Sequence, residues 1–105
     1  MERPSLVYIQ TLSRGDKSFE EKIIKLIKTE FPKEVKKYFD ALKRKKYLKA
    51  AEHVHKIRHK LSILGLKKSY ELAEEYEHDL RKNKAKLEDE FNTILFSITN
   101  YINTL

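Results

Sequence analysis

Apolar side chains return every three or four positions along nearly the whole chain, and no stretch alternates strictly between apolar and polar. Spacing near 3.6 marks one face of a helix, whereas alternation marks a half-buried strand, so the pattern predicts helices and no strand. The first helical segment runs from about Ser5 to Ser13, with Leu6, Ile9 and Leu12 on one side. "RGDKS" breaks it: Gly15 can take the left-handed conformation past a helix end, and Asp16 stands where its carboxylate can cap the next helix. The second segment spans about residues 17 to 45. Its stripe is Phe19, Ile23, Ile27, Phe31, Val35, Phe39 and Leu42, widened by Ile24, Leu26 and Tyr38. Pro32 interrupts the hydrogen bonds but not the stripe, which predicts one kinked helix or two helices sharing an axis.

The third segment runs from about Tyr47 to Leu64 and is ended by Gly65. The fourth runs from about Lys67 to Lys82, with Leu72, Ala73, Tyr76 and Leu80 inward. The polar "KNKAK" reads as a loop, and the fifth segment covers about Leu87 to Asn103, with Phe91, Ile94, Leu95, Ile98, Tyr101 and Ile102 on its apolar side. Four long amphipathic helices joined by short loops predict an all-α fold, an antiparallel four-helix bundle with a short additional N-terminal helix over one end. No repeat, linker or low-complexity tract divides the chain, so residues 1–105 are expected to form a single domain.

Composition sharpens this picture. Two glycines and two prolines leave few places to turn, which again means long helices. There is no cysteine, so disulfides and thiolate metal sites are excluded. "MERPSLVYIQ" has no long apolar stretch behind its arginine, and no apolar run approaches the roughly 18 residues that span a bilayer. The expectation is a cytoplasmic protein with no membrane partner. The net charge of +7 biases the chain toward acidic partners. Most charges interleave in sign, as on solvated helix faces, and the dense basic run is "KRKKYLK" at 43–49.

The candidate chemistry lies in "HVHKIRHKLSILG", residues 53–65, which holds three of the four histidines. At about 100° per residue, Ala50, Val54, Ile57, Leu61 and Leu64 gather on one core face. His55 falls on a flank shared with Ala51, Arg58 and Ser62; His59 lies one turn further on toward solvent, and His53 lies on the opposite flank. A partly exposed imidazole on a rigid helix beside a fixed cation has the makings of a nucleophile toward phosphorus, with the arginine to hold phosphoryl oxygens. The plain alternative is a set of surface residues, and His53 and His78 are read as solvated, without a role.

"HKIRHKLSILGL", residues 55–66, resembles the signature of histidine-containing phosphotransfer domains: a histidine, a basic residue three positions on, a small residue after that, and a glycine ten positions after the histidine. These positions are His55, Arg58, His59 and Gly65. The upstream "AAEHVHKI", the glycine–aspartate turn, the phenylalanine three residues after the aspartate, the mid-helix proline and "LGLKKSYELAEEYE" extend the resemblance over about residues 5 to 80. It implies a four-helix bundle in which His55 accepts a phosphoryl group from a receiver-domain aspartate and passes it to another receiver. It also implies no ATP site and no kinase activity of its own, consistent with the missing Gly-rich phosphate loop. The partners would be receiver domains of response regulators or hybrid sensor kinases, with Mg2+ on the receiver and no cofactor on this chain, which is expected to be monomeric.

In that reading Arg58 offsets phosphoryl charge, Ala51, Ser62 and His59 meet the partner, and Gly65 makes the turn. Three positions depart from the family pattern. His59 stands where a small residue is usual, Arg58 replaces the commoner lysine, and Ser69 falls where an apolar residue is usually buried. Three other readings compete. His55 and His59 have the i, i+4 spacing of a metal clamp, but "HKIRH" lacks the glutamate of "HExxH" and Lys56 and Arg58 repel a cation, so no metal is expected. Net charge and "KRKKYLK" suit a nucleic-acid-binding module, but no helix-turn-helix spacing accompanies them and no nucleic acid is expected. A phosphotransfer fold made inactive by His59 would be an interaction module.

Overall fold

The breaks read from the sequence become the helix boundaries. The computed structural model describes residues 2–105. Its helices are α1 (Val7–Ser13), α2 (Lys17–Lys43), α3 (Tyr47–Ile63), α4 (Lys67–Arg81) and α5 (Glu88–Asn103), and the described residues form no strand. Between α1 and α2 both Arg14 (φ 48°) and Gly15 (φ 86°) are left-handed. Asp16 then caps α2, its Oδ1 accepting from the Phe19 amide at 3.1 Å. Gly65 (φ 74°) makes the turn from α3 to α4. Pro32 lies inside α2, which continues through it as one helix. At about 1.5 Å per residue its 27 residues reach about 40 Å, which sets the 44 Å long axis of the molecule.

The core gathers one face from every helix. Ile27, Phe31, Tyr38 and Ala41 of α2 meet Ala50, Val54, Ile57 and Leu61 of α3. Ala73, Tyr76 and Leu80 of α4 and Phe91, Leu95, Ile98 and Ile102 of α5 complete it, and Ile9 adds a contribution from α1. α3 packs most extensively on α4 and next on α2; α5 touches both α4 and α2, and α1 lies on α2. Side-chain pairs give the directions. His55 faces Glu77 while Arg58 faces Glu74, so α3 and α4 are antiparallel. Glu34 faces His53 while Glu30 faces Lys60, so α2 and α3 are antiparallel as well.

At the centre, three polar groups from three helices form one chain. Tyr38 donates to Asn92 Oδ1 at 2.9 Å, and the Tyr38 and Tyr76 hydroxyls are 2.7 Å apart. The Tyr38 proton goes to the amide oxygen, so Tyr76 donates to Tyr38. Both rings are fully buried and lean on Phe91 at 5.3 and 5.0 Å between centroids.

The N-terminal residues fasten the α3–α4 turn. The Ser5 amide donates to the Leu64 carbonyl at 3.0 Å. Glu2 accepts from the amides of Lys68 (2.8 Å) and Ser69 (2.9 Å), two of the free donors at the start of α4, whose own N-cap residue, Leu66, offers no side-chain bond. Partial burial works against the Glu2 charge, but those two amides prevail and hold its carboxyl below the usual range.

Three apolar positions expected inside are exposed: Leu12, Phe19 and Leu26. The pairing of Glu30 with Lys60 puts the end of α3 near residue 27 of α2, so the first ten or so residues of α2 overhang α3 and have too little to pack against. Leu72 is half-buried rather than fully inward. Among the described residues, no helix is long and apolar enough to cross a membrane.

Candidate functional site

The α3–α4 hairpin builds the site. With Gly65 and Leu66 at its turn, residues equally far from Leu66 on the two helices come face to face: His55 with Glu77, and Arg58 with Glu74. The His55 side chain is 44% exposed, and its Nδ1 lies 3.1 Å from Glu77 Oε1. A carboxylate only accepts, so Nδ1 carries the proton and the neutral ring keeps its lone pair on Nε2. Glu77 is buried and heavily bonded: Arg81 donates to its Oε2 through Nε (3.2 Å) and Nη2 (3.1 Å), and Arg58 Nη1 stands 3.6 Å from its Oε1. Two guanidinium groups and one imidazole N–H thus compensate a carboxylate that would otherwise be costly to bury. In the neutral ring this arrangement leaves Nε2 as the nitrogen with a lone pair, on a rigid helix, where it can act as a nucleophile.

Arg58, expected as a fixed cation beside His55, is fixed on the opposite helix instead. It turns away toward α4, donating to Glu74 at 3.2 Å with its Cζ 5.1 Å from the centre of the Tyr70 ring, and only 15% of its side chain is exposed. Its Nε–H is buried and finds no acceptor, so the guanidinium is incompletely bonded where it sits.

His59 is exposed, its ring edge-on to His55 with centroids 5.1 Å apart, so it stands directly beside the His55 imidazole. Ser62 is exposed on the same side. Ala51, expected to meet a partner, is 0% exposed and belongs to the core: on a flank 40° from His55 a methyl group is short enough to be covered by the packing around it. His53 is not a solvated residue, since its Nδ1 is 3.1 Å from Glu34 Oε2 and its side chain is mostly covered. His78 is exposed, and Ser69 is buried with its amide bonded to Glu2.

Glu74, Glu77, Arg81 and Tyr70 were missed in the sequence. Folding the chain about Leu66 finds the two glutamates, and the i, i+4 spacing of Glu77 and Arg81 gives the third partner. Among the described residues no group of three or more histidine or carboxylate side chains is placed to hold a metal ion. No family model matches this sequence, no curated protein is significantly similar to it, and no solved structure matches it.

Proposed function

We propose that this chain is a histidine-containing phosphotransfer domain, an antiparallel four-helix bundle that relays a phosphoryl group between receiver domains through His55. The observation that carries the reading is the exposed His55 ring held by Glu77 at 3.1 Å, with Nε2 left as the free nitrogen. In the transfer, Nε2 attacks phosphorus in line, the N–P bond forms, and the P–O bond to the receiver aspartate breaks to release its carboxylate. No proton has to leave Nε2. The ring becomes cationic, and Glu77 offsets that charge through Nδ1–H. Arg58 acts on the phosphoryl oxygens only after swinging from Glu74, a motion its unpartnered Nε favours. Mg2+ and the remaining catalytic groups belong to the receiver, and the chain has no kinase activity of its own.

A second reading draws on His59. Its ring stands against the His55 ring, which would suit a fold kept as an interaction module without transfer. One experiment separates the two. The protein and its His55→Gln variant are mixed with phosphorylated receiver domains and, separately, with phosphoramidate, and labelled phosphate is followed. Label stable to base, lost in acid and absent from the variant supports transfer through His55. Label persisting in the variant refutes that assignment, and no label from either donor favours the inactive module.

A further inference from the structure

We propose that an acidic partner protein docks along the α2–α3 face of this molecule, reaching His55 past His59. The proposal rests on the phosphotransfer reading and assigns the surface that the receiver grips. An open groove of about 610 Å³ runs between the two helices, lined by Lys33 and Lys37 of α2 and by Lys56, His59 and Lys60 of α3. Through Lys37 it continues into a second hollow that adds Arg44, Lys46 and Lys49. Seven cations thus line this face against three carboxylates, Glu30, Glu34 and Asp40. The surplus of four is more than half of the chain's net charge of +7.

Five of these seven cations are available, unlike Arg58 and Arg81 on the other face. Glu30 pairs with Lys60 at 2.8 Å, and Glu34 serves Lys56 at 3.9 Å and His53 at 3.1 Å. Among the described residues Lys33, Lys37, Arg44, Lys46 and Lys49 have no ion-pair partner. On the α3–α4 face, Arg58 and Arg81 are both committed to Glu74 and Glu77. His59 joins the two regions, for it lines the groove and its ring touches the His55 ring. An acidic surface laid on α2–α3 therefore ends beside the His55 ring.

The three carboxylates decide between classes of partner. Glu30, Glu34 and Asp40 recur along α2 through the length of the groove. Asp40, without an ion-pair partner among the described residues, would repel a uniformly negative nucleic-acid backbone, and Glu30 and Glu34 cancel the lysines that such a backbone would need. A protein surface can set basic groups against them and acidic groups against the lysines.

The test compares the wild type with Lys33→Glu/Lys37→Glu and with Lys82→Glu/Lys84→Glu, an equal charge change outside the groove. All four lysines are exposed, and circular dichroism checks that the helices persist. Each protein receives phosphoryl groups from phosphoramidate, which needs no docking, and from acetyl-phosphate-charged receiver domains. The expected result is equal labelling by phosphoramidate throughout. Transfer from the receiver falls about tenfold or more in the groove variant, stays near wild type in the other, and weakens with salt. Equal transfer rates in both variants overturn the proposal, and a short RNA duplex that binds wild type and not the groove variant while receiver transfer is the same in both assigns the face to nucleic acid instead. Labelling of the wild type by phosphoramidate but by no receiver also overturns it, while leaving His55 as an acceptor. No label from either donor removes the phosphotransfer reading, and the docking proposal with it.

Discussion

The direction of the buried hydroxyl chain makes two similar substitutions unequal. Tyr76 donates to Tyr38, and Tyr38 donates to Asn92. Tyr38→Phe removes the acceptor of a Tyr76 hydroxyl that has no solvent exposure, leaving it unsatisfied, at a cost of about 1–3 kcal/mol. Tyr76→Phe removes one hydrogen bond but leaves the Tyr38 proton on Asn92, at a cost of about 0.5–1.5 kcal/mol. The double variant strands no donor, so its loss falls short of the sum by about 1 kcal/mol. Urea unfolding followed by far-UV circular dichroism measures all three, and each kcal/mol corresponds to about 4–8 °C in Tm. Equal single losses, or strictly additive ones, would refute the donor order. Alkali gives a second arm. Burial pushes the Tyr76 phenol up to about 12, with the Glu88 charge adding, and burial carries Tyr38 higher still. The folded phenols therefore hold their protons past the point, near 10, where an unfolded tyrosine loses its own. Their contribution is complete below that pH and is lost as pH rises toward the folded value. The alkaline decline should be flatter in the double variant.

The N-terminal clasp is tested by Glu2→Ala, which leaves two amides of α4 without a partner and should cost about 0.5–2 kcal/mol in urea unfolding. The Glu2 carboxyl is held low, so its contribution is present above the unfolded carboxylate pKa and lost as pH falls through the folded one; an acid titration of stability should show that loss in wild type and not in the variant. Ala51→Leu should destabilise by about 1–3 kcal/mol through overpacking, while Ser62→Leu changes stability little, a contrast that thermal unfolding resolves. Gly65→Ala should cost about 1–2 kcal/mol from its left-handed backbone alone, since an added Cβ meets nothing within 4 Å.

Periodicity was enough to read the helices, because each is amphipathic and each break carries its own chemistry. Asp16 and Gly65 marked ends that local rules could supply. What escaped were quantities set by neighbours. Phe19 and Leu26 sit on a sound apolar stripe, but α2 outruns α3 and leaves them uncovered. Ala51 sits on a flank, yet a methyl group is short enough to be covered by the packed helix. At the site, His55 and its exposed flank were legible on one helix. The carboxylates that orient it and draw Arg58 away were not, because they belong to the helix opposite. Single-helix reasoning locates a side chain's direction but not its competitor for a partner.

The clasp of Glu2 and Ser5 on the α3–α4 turn also sets a chronology. Glu2 bonds residues 66 and 67 positions away, a closure that waits on most of the chain. The helical hairpin carrying His55 and Glu77 needs only short-range contacts and can assemble by itself early. Residues 2–5, made before the hairpin they fasten, are therefore among the last to reach their place. Fastening comes as a seal on a turn already formed, and amide exchange at Lys68 and Ser69 reports when that seal opens without the core following.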